Sequence, residues 1–358
     1  MKNILFVVDN LAIGGLQRIS NFIGKELLKK HSVSFLITDS TFSVEYSGFN
    51  VIKKNTVISK ISKRFSKTHL EFIIKSKTIV NSTIYNKKIQ TVVLSNWSLF
   101  LAPLIRERFP TINIILWMHN SYEVYFNNYF KDYKRLLLES MKVSDKVVCL
   151  TNSDLRGYGK YSNNVVKINN PLTFDGSENK SNLQANLISL TCRYNIQHKG
   201  LDYLVQVAKK IPKKWKIAVA GSGTDEEIKG VKQLIKDNNV QDSIVLLGAL
   251  RGEELLNHYK NSSIYIMTSR WEGFGLVLTE AMSFGLPIIA FENSGSNEVL
   301  DNGKYGIVVE QGNVEEFSRE LNRMISDYDL RKKYSEKSLE RVKDFGINAI
   351  ISQWEKII

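Results

Sequence analysis

The sequence predicts an α/β protein made of two doubly wound domains. Short apolar stretches alternate with amphipathic helical stretches along most of the chain, a pattern typical of parallel sheets with helices on both faces. This alternation stops at Asn169-Asn170-Pro171, passes through the polar stretch 173–182 and then begins again, which indicates a linker. A chain of 358 residues is long enough for two domains of roughly 150–180 residues.

The first predicted domain spans residues 1–171. It begins with the strand NILFVV, followed by a loop with Gly14 and Gly15 and by a helix to about Lys29. Further strands are expected in SVSFLI, TVVLS, INIILWMH, KVVCL and VVKIN. Continuous apolar runs of this length are typical of parallel strands buried on both faces.

The second predicted domain spans residues 172–342 and repeats the pattern. Its strands are expected in NLISLTCR, KIAVAG, SIVLLG, SIYIM, PIIAF and GIVVE, with helices after Gly200 and Thr224. The last stretch, INAIISQWEKII, predicts an amphipathic helix whose Trp354 needs a surface to bury against, so we expect residues 343–358 to pack back onto the first domain. Because open α/β sheets bind ligands beyond the carboxyl ends of their strands, two such domains facing across a hinge predict a ligand cleft.

Composition and cysteine content indicate a folded protein of a reducing compartment. The chain is 43% apolar and 24% charged, as folded globular proteins are. Cys149 and Cys192 each lie in a strand-like apolar run, which predicts buried thiols with neither a disulfide framework nor a metal site. The apolar run 4–8 is too short for an export signal, and no run approaches the ~20 residues of a membrane span. We therefore expect a cytoplasmic protein.

The formal charge of +13 raises the question of an anionic partner. Ten lysines and arginines between residues 51 and 90 are opposed by Glu71 alone, and apolar residues interleave with them. Such a basic amphipathic segment suits an anionic membrane surface, and an alternative is a solvated helix that covers the core. No nucleic-acid motif accompanies it, so a nucleic-acid partner is not expected. The candidate membrane or acceptor patch is Lys60, Lys63, Arg64 and Lys67.

The stretch SRWEGFGLVLTEAMSFGLP contains two glutamates, Glu272 and Glu280. A strand leads into a glycine-containing turn, formed by Gly273, Phe274 and Gly275, and a helix is expected from about Leu276. Ionised carboxylates accept hydrogen bonds from paired hydroxyls, such as those of a sugar or a ribose. Seven residues separate the glutamates, about two helical turns, so they are expected to contact opposite ends of one elongated ligand. The alternative is a helix N-terminal acid plus a surface glutamate.

Three smaller features add candidate residues. Gly14 and Gly15 stand between a strand and a helix, where backbone amides favour phosphate, although a simple turn explains them equally well. Arg193 and Lys199 flank the end of a strand, where two cations can hold a diphosphate or simply be surface charge. His119 ends the stretch INIILWMH and is expected to reach the cleft edge, either to hydrogen-bond substrate or in a structural role.

Together these motifs make the chain similar to a known family. The pattern E-G-F-G-x-x-x-x-E-A with a downstream G-x-P resembles the retaining nucleotide-sugar glycosyltransferases of family 4, which have the twin-Rossmann glycosyltransferase-B fold. The family's G-G-x-x-R and R…K-G motifs are similar to Gly14 to Arg18 and to Arg193 with Lys199-Gly200. Its G-x-x-E and N-x-x-G segments are similar to Gly295-Ser296-Asn297-Glu298 and Asp301-Asn302-Gly303.

The resemblance implies a role for each candidate. Glu272 would contact the donor sugar, with the amides of 273–275 on its hydroxyls, and Glu280 would bind the ribose. Arg193, Lys199 and the Gly15 loop would hold the diphosphate without a metal or another cofactor, and His119 would lie near the reacting centre. Retention is implied on one face of the sugar, with the leaving phosphate oxygen taking the acceptor proton.

The chain departs from the family pattern at three positions. Cys192 stands where a glycine is common, Gln17 where an acidic residue is frequent, and Ser294 where a second glycine is common. These differences bear on the choice of sugar and acceptor more than on the reaction class. Many relatives use a cationic patch to reach lipid-linked acceptors at the inner face of the cytoplasmic membrane, so the resemblance favours peripheral membrane association.

The predicted function is therefore transfer of a hexose from a nucleotide-diphosphate sugar, with UDP favoured by analogy, to a lipid-linked or polysaccharide acceptor in cell-surface glycan synthesis. One alternative is a nucleotide-sugar epimerase of the same fold, although the acid and base carboxylates it needs are not found. Another is a non-catalytic protein that only binds sugar nucleotides. The sequence does not predict the oligomeric state.

Overall fold

The computed structural model describes residues 1–8, 15–37, 50–53, 67–174, 176 and 180–358, with side chains described outside 50–53 and 67–75. The chain divides into two compact units. The first comprises Met1–Pro171 with Ile347–Ile358, and the second comprises Leu172–Gly346. The predicted fold class is confirmed, because each unit is a parallel sheet whose strands are connected by helices.

The first unit is built on a seven-stranded sheet. Its strands are β1 (Asn3–Val8), β2 (Ser32–Ile37), β3 (Asn50–Lys53), β4 (Thr91–Ser95), β5 (Asn113–Trp117), β6 (Lys146–Cys149) and β7 (Val165–Lys167). The order across the sheet is β3-β2-β1-β4-β5-β6-β7, and the neighbouring strands pair in parallel. The sequence patterns missed β3, a strand of four residues at the edge of the sheet.

Helices connect these strands. They are α1 (Gly15–Leu28), α2 (Lys67–Asn86), α3 (Ala102–Arg108), α4 (Tyr122–Val124), α5 (Lys134–Val143) and α6 (Asn152–Gly159), with short 3-10 or π turns at Asn96–Leu101, Tyr125–Tyr129 and Lys131–Tyr133. Ile19, Ile23 and Leu27 follow one another at helical spacing in α1 and are all buried, as expected for an amphipathic helix on a sheet. Thr151 caps α6 by accepting a hydrogen bond from the amide of Asp154.

The second unit has a six-stranded parallel sheet. Its strands are β8 (Leu187–Arg193), β9 (Lys216–Ser222), β10 (Ile244–Gly248), β11 (Ile264–Met267), β12 (Ile288–Phe291) and β13 (Ile307–Val309), in the order β10-β9-β8-β11-β12-β13. Its helices are α7 (Ile196–Lys199), α8 (Leu201–Ala208), α9 (Asp225–Asp237), α10 (Glu253–Lys260), α11 (Leu276–Ser283), α12 (Ser294–Val299), α13 (Val314–Ser326) and α14 (Tyr328–Arg341), and a 3-10 turn follows at Val342–Phe345.

The last helix, α15 (Ile347–Glu355), belongs to the first unit. Its Trp354 is 1% exposed and packs edge-on against Trp117, with the ring centroids 4.8 Å apart. Glu355 pairs with Lys30 at 2.8 Å, and the Asn113 amide donates to the carbonyl of Ile357 at 2.7 Å. The preceding turn Val342–Phe345 groups with the second unit, so the segment that returns to the first unit begins at Ile347.

The strand order of both sheets creates one special position in each. In the first sheet, β2 and β3 extend from one side of β1, and β4 begins the series of strands on the other side. In the second sheet, β9 and β10 extend from one side of β8, and β11 begins the series on the other side. Ligands of open α/β sheets bind outside the carboxyl ends of the strands at such switch points. In the second unit, this position lies between β8 and β11, which pair in parallel.

The described residues include no helix that is both long enough and apolar enough to span a membrane.

Candidate functional site

The switch point of the second unit brings together Lys199 and Glu272. Strand β8 ends at Arg193 and the short helix α7 ends at Lys199, whereas β11 ends at Met267 and leads into the loop that carries Glu272. Lys199 Nζ lies 2.6 Å from Glu272 Oε1, and the two side chains are only 12% and 15% exposed. The carboxyl edge of the sheet therefore carries a largely buried ion pair.

The surroundings of Glu272 keep its carboxyl group ionised. Burial by itself raises the pKa of Glu272, but the charge of Lys199 and hydrogen bonds from Lys199 and Ser269 outweigh burial and leave the pKa below its ordinary value. A carboxylate held in this way presents hydrogen-bond acceptors and no donor. The site can therefore accept hydrogen bonds from ligand hydroxyls.

Gly200 allows the turn with Lys199 to lie against the start of the Glu272 loop. Its φ is +61°, and a Cβ atom at this position would stand 2.0 Å from the carbonyl oxygen of Thr268. The Thr268 hydroxyl donates to the carbonyl of Lys199 at 2.8 Å. A side chain at residue 200 would thus displace backbone as well as strain φ, which gives a physical reason for glycine after the lysine.

The glycine turn 273–275 is closely packed against the start of α12. Gly275 has a φ of +83° and precedes α11, and Phe274 is 3% exposed. The amide of Gly295 donates to the carbonyl of Glu272 at 3.2 Å, and a Cβ at Gly295 would stand 2.7 Å from the carbonyl carbon of Phe274. Gly273 is buried as well. The backbone carrying Glu272 is therefore fixed on the side of α12.

Glu280 is the fifth residue of α11 and lies inside the second unit. It is 2% exposed, and its Oε2 accepts a hydrogen bond from the hydroxyl of Tyr259 at 3.0 Å. Tyr259 is itself fully buried. This glutamate is thus not a surface residue, and the alternative of a solvent-exposed carboxylate is wrong.

Arg193 and Cys192 form the end of β8. Arg193 is exposed, and the structure records no ion pair for it among the described residues. Burial, together with the charge of Glu272, raises the pKa of the Cys192 thiol to about 12 against the opposing effect of Lys199 and Arg193. Cys192 therefore stays a protonated thiol, and Arg193 keeps its guanidinium available to a ligand.

Sequence reasoning missed four side chains next to the pair: His198, Trp271, Arg270 and Asp202. The ring of His198 stacks on Trp271 with a centroid distance of 4.6 Å and an interplanar angle of 8°, and its Nε2 lies 2.9 Å from the carbonyl oxygen of Trp271. Burial, together with the charge of Lys199, lowers the pKa of His198 to about 4. His198 is thus a neutral imidazole whose Nε2–H donates to that carbonyl. In the sequence, these four side chains are marked only by their positions within three residues of Lys199 or Glu272.

His119 belongs to the first unit. Strand β5 ends at Trp117, two residues earlier than the stretch INIILWMH predicts, so His119 lies in the loop after the strand. Its ring centroid is 4.2 Å from that of Trp117, and its Nε2 is buried without a hydrogen-bond partner among the described residues. Burial lowers the pKa of His119 to about 3. At neutral pH, this residue is an uncharged imidazole.

Most of the remaining candidate residues lie outside the part of the chain that the structure describes. Gly15 is the exposed first residue of α1. Gly14, Lys60, Lys63 and Arg64 lie outside the described residues, and Lys67 is the first residue of α2, with its side chain outside the description. Among the residues that are described, no group of three or more His, Cys, Asp or Glu side chains is arranged to hold a metal ion.

Comparison with known sequences finds glycosyltransferases. Residues 178–341 match the family model of Glycosyl transferases group 1. The chain is 29% identical to an uncharacterized glycosyltransferase of Haemophilus influenzae over the full length of both proteins. It is 30% identical to the amylovoran biosynthesis glycosyltransferase AmsD of Erwinia amylovora over 45% of this chain and 44% of that protein.

Comparison with solved structures gives the fold. A sucrose-phosphate synthase from Thermosynechococcus elongatus superposes with a TM-score of 0.86 at 17% identity, covering 99% of this chain and 98% of the other. The Anabaena protein HepE, solved in complex with UDP and glucose, gives a TM-score of 0.78 at 14% identity over 99% of both chains. At such identities the likeness establishes the fold alone. The chain is thus similar in sequence to glycosyltransferases of group 1 and has the glycosyltransferase-B fold.

Proposed function

We propose that this protein is a retaining hexosyltransferase that moves a sugar from a nucleotide-diphosphate donor to a lipid-linked or polysaccharide acceptor in cell-surface glycan synthesis. The observation that carries the proposal is the pair of Lys199 and Glu272, 2.6 Å apart at the switch point between β8 and β11. A cation and an ionised carboxylate side by side suit a ligand that is anionic at one end and hydroxylated at the other.

Lys199 and Arg193 are proposed to hold the diphosphate. Lys199 is largely buried against Glu272, whereas Arg193 is exposed at the end of β8. As the bond to the sugar breaks, negative charge grows on the leaving phosphate, and fixed cations stabilise that charge most effectively where water is excluded. These two side chains would then supply the positive charge, with no resident metal in the mechanism. Gly15 and Gly14 are proposed to add backbone amides.

Glu272 is proposed to orient the sugar. Its ionised carboxylate, held by Lys199 and a hydrogen bond from Ser269, can accept hydrogen bonds from neighbouring hydroxyls of a hexose. The amides of Gly273, Phe274 and Gly275 would take the ring's oxygen atoms. Glu280 is proposed to accept from the ribose hydroxyls, and its bond from Tyr259 would orient the carboxylate for that contact.

Retention of configuration fits the ionisation states at this site. We assign the acceptor proton to an oxygen of the departing phosphate, so that attack and departure occur on the same face of the sugar. Glu272 is stabilised as a carboxylate by its cation, which makes it a better hydrogen-bond acceptor than a proton carrier. His119, neutral because burial lowers its pKa to about 3, is proposed to hydrogen-bond a sugar hydroxyl without carrying charge.

UDP is the nucleotide we propose, and a cell-surface glycan is the proposed product. The Anabaena protein with the same fold was solved with UDP and glucose, and the Erwinia relative is named for amylovoran biosynthesis. The donor test is incubation of the purified protein with a panel of UDP- and GDP-hexoses, followed by analysis of the products. Slow release of free sugar and nucleotide supports transfer, isomerised donor supports an epimerase, and binding without turnover supports a sugar-nucleotide-binding protein.

Peripheral membrane association is proposed from the charge of the segment with Lys60, Lys63, Arg64 and Lys67. Lysines and arginines each contribute about 1 kcal/mol near an anionic surface, and salt weakens that attraction. Sedimentation with vesicles that contain anionic lipid should show binding at low salt and release at high salt. Equal binding to neutral vesicles, or retention at high salt, would count against this patch.

A further inference from the structure

The loop that carries Glu272 is fastened to the segment that carries Lys199 by the side chain of Arg270. Its Nη1 and Nη2 donate to Oδ1 and Oδ2 of Asp202 at 2.8 and 2.6 Å. Nη1 also donates to the carbonyl of Gln197 at 2.8 Å, and the Arg270 amide donates to the carbonyl of His198 at 2.9 Å. Arg270 thus contacts the segment on both sides of Lys199.

The geometry of this contact requires an arginine. The guanidinium forms two parallel bonds with one carboxylate and lies over the ring of Tyr203, with Cζ 4.0 Å from the ring centroid. A planar fork can do both at once, whereas a lysine ammonium cannot reproduce two parallel bonds and a stacking contact. The hydrogen bond that Arg270 donates to Asp202 raises the pKa of Arg270, with burial acting in the opposite direction. The pair is 20% and 33% exposed, so it is only partly screened by solvent.

Two further contacts make the connection rigid on the side of Glu272. The His198 ring is stacked on Trp271 and hydrogen-bonded to its carbonyl, and the Thr268 hydroxyl is bonded to the carbonyl of Lys199. Arg270, Trp271 and Glu272 follow one another in the chain, so a shift of Arg270 moves Glu272 with it. Each polar group named here has a hydrogen-bond partner in the structure, so these contacts hold Arg270 and Glu272 in place.

We propose that Arg270 and Asp202 form a clamp that sets the spacing between Lys199 and Glu272, and that both are positioning residues for sugar transfer. The clamp acts through Glu272, since the described contacts of the guanidinium are with Asp202, Gln197 and Tyr203 rather than with the ion pair. The catalytic consequence rests on the proposed function, whereas the structural consequence does not. A misplacement of about 1 Å in an active site can cost about 100-fold in rate.

The test uses Arg270→Lys, Asp202→Asn and the double variant, with Arg106→Lys as the matched control. Arg106 lies in the first unit, donates from Nη2 to Asp145 at 2.5 Å and from Nη1 and Nε to main-chain carbonyls, and has a similar exposure of 23%. Any general effect of losing an arginine fork should therefore appear in the control. Because Arg270 and Asp202 act as one unit, the double variant should be no worse than the more damaging single variant.

The first readout needs no substrate. The NMR signal of the side-chain carboxyl carbon of Glu272 is observed in full-length protein with labelled glutamate, and it is assigned by its absence in Glu272→Gln. The chemical shift of this signal is followed as the pH is lowered from 8, over the range in which circular dichroism shows a native fold. When Lys199 is less well held, burial remains and the pKa of Glu272 must rise. We expect a higher pKa in Arg270→Lys and Asp202→Asn and an unchanged pKa in Arg106→Lys. Unchanged titration in both clamp variants would overturn the proposal.

The second readout is donor turnover. In the clamp variants, kcat should fall about 10- to 100-fold with KM within about threefold, because the ligand contacts remain but their geometry is loosened. A shifted titration in a protein that turns over no donor keeps the clamp and rejects the proposed function. Full turnover in the variants with an unshifted titration keeps the function and rejects the clamp.

Discussion

The two units share one strand order but carry different chemistry at the carboxyl edges of their sheets. In both, the first strand lies between the second and the fourth along the sheet. The second unit places an ion pair of Lys199 and Glu272 at this edge, whereas the first places a neutral histidine, His119, against Trp117. The fold thus supplies the edge, and individual side chains decide what the edge can bind.

The ionisation of these groups shows why a buried charge needs a partner. The Nε2 atom of His119 is buried without a hydrogen-bond partner among the described residues, and burial lowers the pKa of the ring to about 3. Glu272 is largely buried too, yet its pKa stays below the ordinary value because the charge and the hydrogen bond of Lys199 outweigh burial. Burial favours the neutral form of an isolated group, whereas an oppositely charged partner allows a buried group to stay charged. Of the two sheet edges, the one in the second unit therefore carries the charged side chains.

The largest effect is expected for Glu272→Gln, which keeps the shape of the side chain and removes its charge. Donor turnover should fall about 1000-fold, because the hydrogen bonds to the sugar are weakened and Lys199 loses its partner. Turnover is measured with the donor that the panel identifies, and circular dichroism checks the fold. The control is Glu107→Gln, a 74% exposed glutamate of the first unit, which should retain full activity. Wild-type turnover by Glu272→Gln would remove this residue from the mechanism.

Lys199→Met and Arg193→Met separate the buried cation from the exposed one. Lys199→Met should lower kcat/KM about 100-fold. It should also lower the melting temperature, because it leaves the carboxylate of Glu272 largely buried without its cation. Arg193→Met should lower kcat/KM about 10-fold and leave the melting temperature unchanged, since an exposed side chain contributes little to stability. If Arg193→Met melts early, or Lys199→Met does not, the difference between the two cations is misassigned.

Gly200→Ala tests whether the turn of Lys199 depends on close backbone contact. It should lower the free energy of unfolding by about 2 to 3 kcal/mol, from the left-handed φ and from the clash with the carbonyl of Thr268. Gly248→Ala is the control, because Gly248 has a φ of +75° with nothing within 4 Å of the added Cβ. It should cost about 1 to 2 kcal/mol and leave turnover intact. Equal losses in urea denaturation would show that the contact with Thr268 is unimportant.

The smallest effect is expected for the pH dependence of stability, which depends on His119 at the sheet edge of the first unit. The folded pKa of His119, about 3, lies below the ordinary 6.5, so between these values the unfolded chain binds the proton more readily and stability falls as the pH is lowered. From pH 7 to pH 5 this histidine should cost roughly 2 kcal/mol. His119→Gln should remove that part of the slope in urea denaturation at both pH values. A slope identical to that of the wild type would mean that His119 titrates normally.

Much of the fold followed from local patterns in the sequence. Apolar runs between helical stretches predict most of the strands, because parallel strands are buried on both faces and therefore apolar throughout. The failures were local as well. The four residues of β3 give no periodic signal, and β5 ends at Trp117 because the apolar run continues past the last sheet bond into the loop with His119.

The site was predictable only where its residues are close in the sequence or resemble a family motif. Glu272 and its glycine turn lie within four residues, and Lys199 is followed by the glycine that its turn requires. The contacts of Arg270 with Asp202 and of His198 with Trp271 join residues 68 and 73 positions apart. Such pairs depend on how β8 and β11 meet in the sheet, and no spacing rule gives them. The enclosure of Glu280 by Tyr259 likewise depends on tertiary packing.

The most direct test of the account is a crystal structure of the protein with an unreacted UDP-hexose or with UDP and the sugar. We expect a diphosphate within hydrogen-bond distance of Lys199 Nζ and sugar hydroxyls on the carboxylate of Glu272, beyond the carboxyl ends of β8 and β11. A nucleotide bound away from this edge, or a sugar that leaves the carboxylate of Glu272 without a contact, would contradict it.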